Sequence, residues 1–151
     1  MQTKKELAVA ALREGTVIDH IPPQSLFKVV DLLGVKDLDD SVTIGYNLDS
    51  KRMGRKGIIK VAGRFFPEAT LNRIAVIAPD VVINIIREYE VVEKHSVTLP
   101  EELDDIVSCS NPKCISNNEP MRSRFHVADG GTRLRCHYCE RIIARDEAVL
   151  K

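Results

Sequence analysis

The four cysteines fall in two close pairs, Cys109-Ser-Asn-Pro-Lys-Cys114 and Cys136-His-Tyr-Cys139, with twenty-one residues between them. Each short pair places two thiolates on one knuckle. The longer insert lets the second knuckle fold back over the first, so four soft ligands converge on a tetrahedral site. Zinc suits such a set, because it takes four thiolates at ~2.3 Å with no redox chemistry and no d-electron preference for geometry. Both spacings lie in the range used by zinc ligands. The sequence therefore predicts one Zn2+ per chain, held by Cys109, Cys114, Cys136 and Cys139. Four cysteine ligands leave no open position for water or substrate, so the site is structural rather than catalytic. Two disulfides are the alternative, disfavoured because the chain shows no secretory signal and the cysteines are confined to one end. An iron–sulfur cluster is the smaller rival.

The segment carrying these cysteines, Glu101 to Lys151, is too short to bury a core that would hold it alone, so metal binding must supply folding free energy. A chain of 151 residues allows one ordinary domain or two small ones. Acids and bases balance at 22 each, which argues against a general nucleic-acid binder with its usual basic excess, though not against a local basic patch. No apolar run is long enough to span a membrane, and the charged start Met1–Glu6 lacks the apolar stretch of a signal peptide. A soluble cytoplasmic chain with reduced thiols is expected. With no tryptophan and few aromatics, the core must be aliphatic.

The elements that position the remaining chemistry follow from periodicity. Leu7–Leu12 reads as a strand turned by Gly15, and Thr16–Ile21 as a second strand stopped by Pro22-Pro23. Gln24–Gly34 is helical, with Leu26, Val29, Val30 and Leu33 on one stripe. Ser41–Leu48 alternates as a strand with Val42, Ile44, Tyr46 and Leu48 on one face. Asp49–Gly57 reads as an exposed basic loop, and Gly57–Gly63 as the next strand. Pro67–Ala78 is a second helix, Val81–Ile86 a strand, and Tyr89–Lys94 a further extended piece able to pair with Leu7–Leu12 at one edge. The order strand, helix, strand, strand, helix, strand is the ferredoxin-like pattern of the α+β class, an antiparallel sheet with two helices on one face. Ser96–Asp105 reads as a linker into a small all-β, zinc-ribbon-like module with strands at Arg122–Val127, Thr132–Arg135 and Arg141–Leu150. The predicted division is residues 1–98 and 99–151.

If two helices cover one sheet face, Ile59, Val61, Val81, Ile83 and Ile85 point to them. Lys60, Asn84 and Ile86 then lie on the uncovered face, joined by either Asp19 or His20. A lysine, an amide and an acid on an apolar floor can hold a small phosphorylated ligand. On the residues alone the plainer reading, an ordinary solvated sheet face, is preferred.

Several short motifs occur together: Gly15-Thr-Val-Ile-Asp-His-Ile-Pro22, Val42-Thr-Ile-Gly45, Met53-Gly-Arg-Lys56, Ile59-Lys60, Ala78-Pro79, Asn84, Tyr89-Glu-Val-Val92 and the two cysteine pairs. In this combination, from about residue 7 to the C-terminus, the chain resembles the regulatory-chain family of aspartate carbamoyltransferase. The resemblance implies a non-catalytic subunit in pyrimidine biosynthesis. It implies an N-terminal allosteric domain that binds CTP, UTP or ATP and forms a homodimer, and a zinc domain that docks on the catalytic chain. It also implies a holoenzyme in which three regulatory dimers join two catalytic trimers. Nucleotide contacts carried over by position are Val9, Ala11, Leu12, Val17, Asp19, His20, Lys60, Asn84, Ile86, Tyr89, Val91 and Lys94. This reverses the preference for a plain solvated face. The chain departs from the family at Glu6, where a lysine is frequent, and at Ala10, where an acid occurs, so the sign and size of each nucleotide's effect are not carried over. Two rivals from other classes are a zinc-ribbon nucleic-acid binder, using Lys51–Lys56 and Arg133–Arg141, and an enzyme using His20 and Asp19; the chain offers no nucleophile–base pair for the latter.

Overall fold

The computed structural model describes residues 12–151. The strand expected over Leu7–Leu12 therefore lies, except for Leu12, outside the described residues. The chain divides into two compact units between Val97 and Thr98.

The first unit runs β1 Gly15–Ile21, α1 Leu26–Leu33, β2 Val42–Ser50, β3 Gly54–Ala62, α2 Glu68–Ile77, β4 Val82–Arg87 and β5 Glu90–Ser96. Its strands form one antiparallel sheet in the order β2-β3-β1-β4-β5. This is the ferredoxin-like arrangement with β5 added beyond β4. Both helices lie on one face, where Ile18 and Ile21 of β1, Ile59 and Val61 of β3, and Ile83 of β4 pack against Leu26, Val29 and Ile74. The stripe expected of α1 is thus its buried side, and Gly34 ends the helix in the left-handed conformation, φ 65°. Central β1 has Val17, Ile18 and Ile21 wholly buried, and burying each such side chain stabilises the fold by roughly 1.5–3 kcal/mol.

Strand β1 begins at a position only glycine tolerates. Gly15 has φ +142°, and a Cβ there would sit 2.1 Å from the Val61 carbonyl oxygen. Gly15→Ala is expected to cost about 1–3 kcal/mol or more, read as a lowered urea midpoint; an unchanged midpoint would refute the steric argument.

Three sequence expectations change on this face of the chain. The exposed loop over Asp49–Gly57 is mostly strand. β2 and β3 continue toward each other to Ser50 and Gly54 and leave only a turn at 51–53. Lys56, expected at the surface, is 2% exposed. The even alternation of β2 fails too. A register shift between Gly45 and Leu48 puts Leu48 opposite Lys56, on the other face from Ile44, because a bulge inserts one residue and reverses the side-chain parity. Tyr46 remains on the helix side but is 55% exposed, its ring against Phe27 of α1 at 5.7 Å.

The second unit holds β6 Glu102–Asp104, β7 Val107–Ser108, a one-turn helix α3 Ile115–Asn118, β8 Arg124–Ala128, β9 Arg133–Cys136, β10 Ile142–Ala144 and β11 Val149–Leu150. The strands form a four-stranded sheet β10-β9-β8-β6 and a two-stranded sheet β11-β7. Part of the expected linker is therefore β6, which pairs with β8. The single strand expected over Arg141–Leu150 is two short ones. A 3-10 turn at Arg145–Glu147 separates them, and β11 leaves the larger sheet to pair with β7. Leu103, Val107, Phe125 and Leu134 are fully buried in this unit. Among the described residues no helix is long and apolar enough to cross a membrane.

Candidate functional site

The open face of the first sheet is built by register. Thr43 of β2 lies opposite Lys60 of β3, Lys60 opposite Val17 of β1, Val17 opposite Asn84 of β4, and Asn84 opposite Lys94 of β5. Directly opposed residues share a face, so two lysines and an amide stand in one row across the sheet. Beside them Leu12 packs against Val17, Ile58 and Ile86 as a small apolar floor. Asn84 is buried and Lys60 partly so. Burial pulls the Lys60 ammonium below its ordinary pKa, against the attraction of Asp19.

Of the alternatives at the end of β1, it is Asp19 that joins this face. It stands opposite Val82, two residues along from Val17. His20 follows at a bulge with φ 60°, which re-aims its side chain without carrying it across the sheet. Three contacts converge on Asp19 Oδ1: Lys56 Nζ at 2.7 Å, the His20 backbone N–H at 2.7 Å, and His20 Nδ1 at 3.1 Å. The imidazole contact is close but off the hydrogen-bond direction, since Nδ1 makes no hydrogen bond. Burial opposes ionisation of Asp19, yet the hydrogen bonds from Lys56 and His20 hold its carboxyl below the usual range.

The other carried-over positions are less buried. Val91 lies opposite Ile86 after a register shift in β5, and Tyr89 is exposed at the turn between β4 and β5, with φ 65°. Val9 and Ala11 lie outside the described residues. Lys56 is the residue that sequence reasoning missed. Its signal was present, since it precedes Ile58 and Lys60 at the same period of two, but the glycines around it suggested a loop. A groove of about 210 Å³ lies on the helix side of the sheet, lined by Thr16, Phe65, Leu71, Ile83, Arg87 and His95 among others. It contains none of the open-face row. The basic stretch Lys51–Lys56 offers less free charge than its composition suggests, because Arg55 pairs with Asp49 at 2.6 Å and Lys56 is buried.

In the second unit the four cysteine sulfurs all lie within 4.8 Å of one another. Cys109 Sγ is 3.6 Å from Cys139 Sγ, and Cys114 Sγ is 3.7 Å from Cys136 Sγ. Four thiolates at ~2.3 Å from one ion in a tetrahedron would be about 3.8 Å apart. The donor set therefore fits a tetrahedral metal and is too long for bonded sulfur pairs. Cys109 and Cys114 sit on the loop before α3, where Asn117 Nδ2 donates to the carbonyls of Cys109 and Asn111. Cys136 ends β9, and Cys139 follows a tight turn closed by the Glu140 N–H to the Cys136 carbonyl. Burial raises the Cys109 and Cys136 thiols above their ordinary pKa, while at Cys139 hydrogen bonds from the Arg141 backbone and neighbouring groups outweigh burial and lower it.

Comparison with known proteins matches both units. The family model for the allosteric domain of the aspartate carbamoyltransferase regulatory chain matches residues 7–98, and that for its metal-binding domain matches residues 101–149. The chain is 59% identical to the aspartate carbamoyltransferase regulatory chain of Parabacteroides distasonis, covering 99% of this chain and 98% of that one. It is 56% identical to the corresponding chain of Bacteroides thetaiotaomicron, with 99% and 98% covered. With that of Thermococcus gammatolerans it shares 47% over 95% of this chain and 97% of the relative. These relatives are regulatory chains rather than catalytic subunits, so His20 and Asp19 are not read as an active site.

Proposed function

We propose that this chain, which belongs to the regulatory chains of aspartate carbamoyltransferase, binds CTP, UTP and ATP on the open sheet face of residues 1–98. Residues 99–151 then pass the effect to the catalytic chain through a zinc-held surface. The observation that carries this reading is the cross-strand row of Lys60, Val17, Asn84 and Lys94. Lys60 and Lys94 neutralise phosphate and Asn84 reads a polar edge of the ligand, while Leu12, Val17 and Ile86 give the base and ribose an apolar floor. Asp19 accepts from a ribose hydroxyl through Oδ2, the oxygen outside its three contacts with Lys56 and His20. Val9 and Ala11 contribute main-chain groups to base discrimination, with Tyr89 and Val91 closing the rim.

Zinc is the metal the four cysteines fit, and when bound it supplies the bonds that fix the two knuckles. The chain's own part is to hold the ligands with the Asn117 bonds and to present exposed apolar side chains. Ile115, Tyr138, Ile142 and Val149 are exposed on this unit and suit a catalytic-chain interface. On the first unit, Ile44, Tyr46 and Leu48 of the edge strand β2 are exposed, with Phe27 of α1 exposed beside Tyr46, which suits the homodimer. Three such dimers would join two catalytic trimers in the cytoplasm, where thiols stay reduced.

Control then follows from differential affinity. A nucleotide that binds the low-activity assembly more tightly inhibits, one with the reverse preference activates, and equal affinity does nothing. The test is calorimetric titration of the zinc-loaded chain with CTP and ATP, repeated on Lys60→Ala. Competitive binding at one site per chain is expected, weakened about 10-fold or more by loss of a charge-assisted hydrogen bond worth about 1.5–3 kcal/mol. Equal binding by the variant, or none by the intact chain, would overturn the placement.

A further inference from the structure

The second unit carries a pair of histidines outside the four-cysteine set. His126 stands on β8, and His137 sits in the knuckle between Cys136 and Cys139. Their ring nitrogens converge, His126 Nε2 lying 2.9 Å from His137 Nδ1. The other nitrogen of His126, Nδ1, faces Glu102 Oε1 at 3.4 Å, and Glu102 is steadied through Oε2 by Arg124 at 3.2 Å. The knuckle itself is tied to β8 by the His137 N–H to the Arg124 carbonyl, 2.8 Å. Both rings are accessible to solvent.

We propose that His126 and His137 form a second metal site, for a divalent ion with right-angle coordination such as nickel or copper. Two metal–nitrogen bonds of ~2.0–2.1 Å at a right angle put their nitrogens about 2.9 Å apart, whereas a tetrahedral angle puts them at about 3.3–3.4 Å. The observed 2.9 Å is the length of the hydrogen bond the two rings share and also falls at the right-angle value, so a tetragonal ion such as nickel or copper needs little change in the nitrogen separation. The ion takes the place of the hydrogen between the rings. Glu102 then does what carboxylates do behind metal-bound imidazoles, fixing the ring and the tautomer that leaves Nε2 free to bind. Water completes the coordination. Arg135, opposite His126 across the strands, works against a cation, so this site binds more weakly than four thiolates. Occupancy links β8 to the second cysteine knuckle and stiffens the face beside it.

The test uses the zinc-loaded full chain titrated with Ni2+, followed by calorimetry, metal analysis and imidazole nitrogen–proton spectra. One Ni2+ per chain is expected with zinc retained. Broadening should be confined to His126 and His137, and the chain's other two histidines, His20 and His95, are internal controls. His126→Ala should abolish uptake, and Glu102→Gln should weaken it about 10-fold. Measuring the zinc content of each variant separates loss of this site from a damaged knuckle. Nickel uptake matched by zinc release, binding undiminished in His126→Ala, or no binding by the intact chain would each overturn the proposal.

Discussion

Stripping the metal from the chain is expected to unfold residues 98–151 while the first unit stays folded. The second unit buries few apolar side chains, chiefly Leu103, Val107, Phe125 and Leu134, and its remaining buried centre is Cys109, Cys114 and Cys136. Without a cation, four thiols within 4.8 Å of one another are either neutral and weakly bonded or ionised and repelling. Structural zinc supplies apparent free energies of about 10–16 kcal/mol in small modules, comparable to the whole stability of an ordinary domain, about 5–15 kcal/mol. The first unit has its own core, shared between two helices and a five-stranded sheet. Hydrogen exchange on the full chain separates the two. With chelator, or in Cys114→Ser, amides of β8 and β9 should lose protection while those of β1, β3 and β4 keep it. Retained protection in β8 and β9 after verified metal loss would show that the apolar core suffices. Loss of protection in both units would show that they fold as one. An assembly with the catalytic chain should come apart under the same treatment, and mercurials that capture the thiols should do likewise.

Much of this arrangement is legible in the chain because the rules involved are local. The stripe Leu26, Val29, Val30, Leu33 names the buried side of α1 at a period of 3.6, and the alternation Ile59, Lys60, Val61 names both faces of β3 at a period of two. The cysteine spacing gives the donor set directly. What escapes are features that depend on a partner strand. Periodicity could not choose between Asp19 and His20, since the choice depends on a bulge defined only when β1 pairs with β3. It placed Leu48 with Ile44, because the inserted residue between them is visible only in the register with β3. It put Lys56 in solvent, because a lysine between Gly54 and Gly57 has the composition of a loop. The break at Arg145–Glu147 escaped for a similar reason, since β11 is captured by β7, far back in the sequence. The candidate site follows the same division. Its residue types were readable one by one, but their alignment in a row needed the order β3-β1-β4-β5.

Replacing Lys56 is expected to cost more than any other single charge change in the first unit. Its side chain is 2% exposed, and that of its partner Asp19 is 10% exposed. Forming such a pair gains little over an apolar pair, but breaking one side leaves a buried charge without compensation, a loss of about 3–5 kcal/mol. Lys56→Met keeps most of the stem volume and removes the ammonium, so the loss reports the stranded Asp19 carboxylate rather than a cavity. Lys56→Met combined with Asp19→Asn should recover most of it, because neither charge then remains. The pH dependence fixes the sign independently. In the intact chain the Asp19 carboxyl is held below its ordinary value, mainly by hydrogen bonds from Lys56 and His20 acting against burial. Its contribution is therefore fully present above about pH 4 and is lost as pH falls through the lowered folded value. In Lys56→Met, burial is left with less opposition and the folded value rises. The variant then gains stability, relative to the intact chain, as the carboxyl takes up its proton. The difference between the two in urea unfolding should thus be largest near pH 7 and shrink toward pH 4. A difference below about 1 kcal/mol that does not change with pH would mean that Asp19 finds a replacement cation, for which Lys60 is the candidate on the same strand. Nucleotide titration of Lys56→Met would then separate the roles of the two lysines. If the proposed site holds, a residue that only positions Asp19 should weaken a ribonucleotide more than the deoxyribonucleotide that lacks the contacted hydroxyl, whereas loss of Lys60 should weaken both through their phosphates.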